Sequence, residues 1–152
     1  MSQRPKAETV YAVEDFYDGP ESGYANFRGH PHRFEVIEER TSRTRTIRRF
    51  RLYLVGEELL RSVLEQQRLW SRWNASHRKG EVSGELPYSE RVLPEDLEAY
   101  RALDASTRNY LAQLPKTVIY AEGRFFPGRR TTEYRAFGEN LRVIWAHCRA
   151  AA

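Results

Sequence analysis

The sequence predicts an α+β protein in which an antiparallel sheet, or a partly open barrel, packs on a helical hairpin inserted between the third and fourth strands. Three observations carry that expectation. Residues 16 to 35 concentrate three glycines, two prolines, two histidines and five aromatics in one short stretch, which is turn chemistry wrapped around strands. At Glu57 the apolar period changes from two to three or four, and after Pro115 it returns to two.

Residues 1–9 show no periodicity and read as a flexible tail, leaving residues 10–150 as a single α+β domain. Val10 to Tyr17 is an aromatic-rich lead-in that suits a first short strand. Gly19-Pro20 and Gly29-His30-Pro31 bracket Tyr24 to Phe27, a strand entering a hairpin whose partner runs from His32 to Glu39. On that partner His32, Phe34 and Val36 share the core face, which turns Glu35 outward. A polar loop over Thr41 to Thr46 precedes Ile47 to Val55, where Phe50, Leu52 and Leu54 alternate with Arg49, Arg51 and Tyr53 as in a half-buried strand.

The spacing of Leu60, Val63, Leu64, Gln67, Trp70, Trp73 and His77 predicts a helix over 57–77, with Glu57 and Glu58 favourably placed at its positive end. Lys79 to Ser89 is a loop. Pro94 opens a second helix in which Leu97, Tyr100, Leu103, Thr107, Leu111 and Leu114 share a face, and Pro115 ends it. Thr117 to Phe126 reads as a strand closed by the turn signal Pro127-Gly128-Arg129-Arg130. Leu141 to Cys148 suits either period, and β-branched Val143 and Ile144 beside Trp145 favour a strand.

A chain of 152 residues, 40% hydrophobic and 30% charged, has the size and composition of one folded domain. No apolar run approaches the roughly 20 residues of a membrane helix. The polar N-terminus without an apolar stretch behind it, and the lone Cys148, point to the cytoplasm. The net charge of +4 arises from 25 basic and 21 acidic residues, nearly all the basic ones arginine. Arginine at ordinary helix-surface positions such as Arg61, Arg68 and Arg101 matches codon usage in a GC-rich genome better than a dedicated phosphate surface.

Candidate chemistry starts with His30, His32 and Glu35, whose residue types suit a metal. His32 and Glu35 fall on opposite strand faces, however, and Pro31 separates the histidines, so no metal and no cofactor are expected. Asp18, His32 and Glu35, with Glu122, offer titratable groups for a small hydrolase, although Asp18 before Gly-Pro is also a natural turn residue. No nucleophile elbow or phosphate loop is present. Residues 40 to 51 hold Arg40, Arg43, Arg45, Arg48, Arg49 and Arg51 without an acid. With Phe50, Tyr53 and the pair Arg129-Arg130 they compose a candidate RNA or DNA platform, against cross-strand pairing with Glu35, Glu38 and Glu39 or a basic docking surface for an acidic protein. Trp70, Trp73, Tyr100 and Tyr110 offer either a ligand groove or, as is commoner for aromatics at helical spacing, a core, which Trp70 fits, whereas Trp73, between Arg72 and Asn74, is placed at the rim as a binding hot spot.

The segment Tyr17-Asp18-Gly19-Pro20, then Gly23-x-Ala25-x-Phe27-x-Gly29-x-Pro31-His32-x-Phe34-Glu35, together with Trp70-x-x-Trp73, resembles a group of small uncharacterised bacterial proteins. The resemblance implies a small cytoplasmic bacterial protein and attaches no activity to it. The chain departs from that group in the arginine-rich stretch after the second hairpin strand. The leading expectation is a non-catalytic protein-interaction module, adaptor or regulator, binding another protein through Tyr24, Arg28, His30, Arg49, Arg51, Tyr53 and Trp73. Nucleic-acid binding through Arg43 to Arg51 is the alternative, and a hydrolase at Asp18, His32 and Glu35 the third.

Overall fold

A computed structural model describes residues 4–17, 19–80, 91–127 and 141–148. Contacts divide the chain into two compact units, Met1–Gly56 with Leu114–Ala152, and Glu57–Gln113. The first unit contains all six strands: β1 (Glu8–Phe16), β2 (Pro20–Phe27), β3 (His30–Thr41), β4 (Thr46–Leu54), β5 (Ile119–Pro127) and β6 (Leu141–Cys148). Each is antiparallel to its neighbours, and the order β1-β2-β3-β4-β5-β6 closes into a barrel.

This corrects the expected architecture twice. The sheet is closed rather than partly open, and the helices follow the fourth strand instead of the third. Closure rests on a short seam, Glu8 opposite Val143 and Thr9 opposite Arg142, reinforced by a 2.8 Å bond from Arg142 Nη1 to Thr9 Oγ1. β1 also begins at Glu8, within the stretch read as a tail. Its register with β2 shifts between Val10 and Ala12, Val13 and Asp15, and Asp15 and Phe16. The first strand expected from Val10 is thus present with an earlier start, and the irregularities that interrupt its period of two add the bend and twist that a narrow barrel requires.

β2 and β3 are joined by the two-residue turn Arg28-Gly29, with φ of 52° and 81°. Both values are positive, the geometry whose twist matches a tight hairpin, and glycine accepts it without a Cβ penalty. The Glu8 carboxylate accepts the N–H of Arg28 at 3.0 Å and of Gly29 at 2.7 Å. The outset of β1 is thereby fastened to this turn.

Four aromatic rings fill the middle of the barrel. Phe34, Phe50, Phe125 and Trp145 all lie within 6.0 Å of one another between centroids, from 5.2 Å for Phe34 with Phe125. Most of the pairs meet edge to face, the arrangement favoured by the ring quadrupole. Val10, Val13, Ala25, Phe27, Leu52, Ala121, Leu141 and Val143 complete the core. Trp145 satisfies its indole N–H on the Asn26 carbonyl, 2.8 Å away. Gly123 makes room for that ring, because a Cβ there would stand 2.5 Å from Trp145 Cζ3 and 3.0 Å from Phe50 Cε2.

The second unit holds α1 (Glu57–Arg78), a single 3-10 turn (Pro94–Asp96) and α2 (Leu97–Ala112). The buried face of α1 is Leu59, Ser62, Val63, Leu69 and Trp73, rotated from the expected stripe, and Leu64 is exposed. Polar bonds account for the rotation. Thr107 donates to Gln66 Oε1 at 2.7 Å and accepts from the Ser62 hydroxyl 2.8 Å away, whose single proton has the Leu103 carbonyl, at 3.2 Å, as its other acceptor. Interhelical hydroxyls that satisfy each other can occupy a buried seam that apolar periodicity assigns to leucine.

Gly123→Ala is expected to lower the unfolding free energy by about 1–3 kcal/mol, because the ring it strikes is fixed by a hydrogen bond and three other rings. Urea unfolding followed by tryptophan fluorescence measures this loss.

Candidate functional site

The outer face of β3 and β4 is a ladder of ion pairs set by register. On this face Arg51 stands opposite Glu35 and Arg49 opposite Glu38, while Arg48, opposite Glu39, has the inward parity of Phe50 and meets that acid at the barrel end. The corresponding N–O distances are 3.8, 3.4 and 3.6 Å. Arg40 adds a 2.8 Å contact to Glu38. Arg33 reaches Glu14 at 2.8 Å and Glu35 at 3.0 Å, lies over the Tyr24 ring, and donates to its hydroxyl at 3.1 Å. Most of the arginine run on the strand is therefore matched by acids, which weakens its claim on a phosphate backbone.

The expected binding residues do not form one surface. Tyr24 is fully buried, and burial, aided by the charge of Glu14, pushes its phenol up to about 12. Trp73 is 2% exposed, stacked on His77 at 4.8 Å with Arg91 5.4 Å from its ring. Neither side chain can present itself to a partner, so the rim position expected of Trp73 is corrected to core: a flanking arginine and asparagine did not determine which way the helix turned that ring. Arg28 and His30 are exposed at the β2–β3 turn, whereas Arg49, Arg51 and Tyr53 run along the outer face of β4.

The hydrolase grouping is likewise not assembled. His32 is buried in the barrel's end, edge-on to Phe27 at 5.5 Å, while Glu35 is held outside by Arg33 and Arg51. Asp18 and Arg129-Arg130 lie outside the described residues. His32 Nδ1 is 2.7 Å from the His30 carbonyl. A carbonyl only accepts, so Nδ1 carries the proton of the neutral ring. Burial pulls the His32 pKa below its ordinary value, against the opposing pull of that carbonyl bond. His147 approaches Phe27 at 6.2 Å. Among the described residues, no group of three or more His, Cys, Asp and Glu side chains is placed to hold a metal, and no helix is long and apolar enough to cross a membrane.

The opposite end of the barrel holds a different arrangement. A cavity of about 480 Å³ opens beside the β1–β2 and β3–β4 turns, with Phe16, Pro20, Arg45, Arg48, Arg124 and Phe125 in its walls. Glu122 is the acid that lines it. Arg48 is 7% exposed and in phase with Phe50 and Leu52 on β4. Its Nη2 donates to the Tyr17 carbonyl at 2.7 Å and its Nη1 to the Pro20 carbonyl at 3.3 Å, while its buried Nε has no partner. Arg43, Arg45 and Arg124 are exposed, and Tyr17 projects at 77% exposure with Phe16 at 41%. Sequence reasoning missed Arg48, Arg124, Phe125 and Ile144 as a group. One signal was available: Arg48 falls two residues before Phe50, on the inward parity of its strand.

Comparison with protein-family models, curated proteins and solved structures returns no match to this chain.

Because the folded His32 pKa is depressed, neutral His32 contributes stability that is present above the ordinary value of 6.5 and lost as pH falls through the folded pKa. Thermal melts should therefore weaken from pH 7 toward pH 5 in the wild type, by roughly the linkage of one histidine, and His32→Leu should flatten that slope. Replacing Arg33, which joins Glu14, Glu35 and Tyr24, by Met is expected to cost about 1–3 kcal/mol. Arg40→Met, at an exposed pair, should cost under about 1 kcal/mol, and parallel urea titrations distinguish the two.

Proposed function

We propose that this chain is a non-catalytic interaction module, an adaptor or regulator, that engages an acidic segment of another protein at the barrel end bearing Tyr17, Arg43 and Arg45. The observation that carries this reading is a coincidence of exposure and charge. Tyr17 and Phe16 are among the exposed large hydrophobics, Phe16 lines the cavity, and Arg45 and Arg124 on its wall make no ion pair among the described residues. On the outer face of β3 and β4, by contrast, Arg40, Arg49 and Arg51 are matched to acids. Aromatic and arginine side chains together are the composition of interface hot spots, since each offers a large contact area plus a polar handle.

A protein partner is favoured over nucleic acid because a phosphate backbone rewards a continuous positive track. Here the track is interrupted by Glu35, Glu38 and Glu39 on the adjacent strand. An acidic peptide needs only a local patch.

Affinity capture from native lysate after nuclease treatment tests the reading. A stoichiometric protein retained by the wild type and lost by the double variant Tyr17→Ser, Arg43→Glu supports it. Recovery that disappears with nuclease, and falls steeply with salt, overturns it in favour of nucleic acid.

A further inference from the structure

We propose that the cavity beside Arg48 is a binding site for a small organic anion, a carboxylate or a phosphate monoester carrying an apolar body. The inference goes beyond the partner reading, sharing Phe16 and Arg45 with it but turning on Arg48, Arg124 and Ile144, which that reading does not need. About 480 Å³ falls within the roughly 300–1,000 Å³ of small-ligand sites. The barrel interior next to it is occupied by the four packed rings, so a ligand here seats at the end rather than within the barrel.

The charge of the walls sets the ligand's sign. Arg45, Arg48 and Arg124 face the cavity with Glu122 as the opposing acid. Arg48 is the decisive residue. Its two Nη donors bind neutral carbonyls, which solvate the guanidinium but do not neutralise it. The nearest carboxylate, Glu39, is 3.6 Å away and partly exposed, and Nε is buried without a partner. A guanidinium withdrawn from water with so weak a counter-charge gains most from an oxyanion, whose field is little screened at a poorly hydrated wall. Phe16, Ile47, Phe125 and Ile144 supply the apolar surface, so a bare inorganic anion would leave most of the cavity wall unused.

The test is an NMR titration of the full chain with naphthoate, naphthyl phosphate and the uncharged naphthalenemethanol. Either anion should shift the amides of residues 45–48, 122–125 and 144, and the alcohol should bind at least about tenfold more weakly. Binding of naphthoate alone identifies a carboxylate ligand, and of naphthyl phosphate alone a phosphate ligand. Arg48 also holds the β1–β2 turn, so its removal risks unfolding. Arg124→Glu, at an exposed position, should weaken the anion about tenfold, and Ile144→Trp should abolish binding by filling the space while leaving every arginine in place. The proposal is overturned if neither anion shifts these amides, if the alcohol binds as tightly as the acids, or if Ile144→Trp leaves affinity unchanged. None of these readouts involves the protein partner, so either reading can fail without the other.

Discussion

Everything in the barrel unit follows from fitting four aromatic rings into a cylinder of six strands. A sheet of this width encloses little space, and Phe34, Phe50, Phe125 and Trp145 consume it with mutual edge and tilted contacts. The small residue at Gly123 and the indole bond to Asn26 are conditions of that fit. Because the seam between β1 and β6 contributes only two residue pairs, the burial of Val10 and Val13 in the same core as the rings supplies cohesion across the closure that strand pairing alone does not. The barrel is thus a packed solid rather than a container, and any binding is displaced to its ends or its outer face.

Electrostatics then separate those surfaces. On the outer face the register of β3 against β4 sets Arg51 against Glu35 and Arg49 against Glu38, and the register shift between Val36 and Glu38 preserves the match. Exposed pairs of this kind add little stability individually, but they leave the face locally neutral. The end with His32 is closed by a buried, neutral imidazole and by the Glu8 carboxylate on the turn. At the Arg48 end three arginines and one acid line a cavity with apolar surface, and this local asymmetry, rather than the overall charge, makes that end the functional candidate.

Much of the secondary structure was legible because local chemistry specified it. Gly29, Pro94 and Pro115 punctuate the chain, and Phe50, Leu52, Val143 and Trp145 hold a clean period of two. Barrel closure was not legible, because Glu8 and Val143 meet only through the folded chain and the irregular register of β1 erases its alternation. Trp73 and Tyr24 were misplaced for a related reason: an amphipathic aromatic fits both rim and core, and its neighbours in sequence do not say what covers it. Arg48 was the opposite case. Its inward parity was visible, but a charged residue within a run of arginines reads as solvated unless the carbonyls that receive it are known.

Those carbonyls give Arg48 two roles that constrain each other. Burying a guanidinium is costly, and an apolar side chain of similar length would avoid that cost. A methionine there, however, would leave the Tyr17 and Pro20 carbonyls without the donors that hold the turn against the barrel end. The turn in turn carries the exposed Tyr17 and one wall of the cavity. A single cation therefore fixes the shape of the rim and sets the sign of charge within it. An anion bound beside Arg48 would relieve the same desolvation that the turn carbonyls offset only in part, so occupancy of the cavity and order in the rim are expected to reinforce each other.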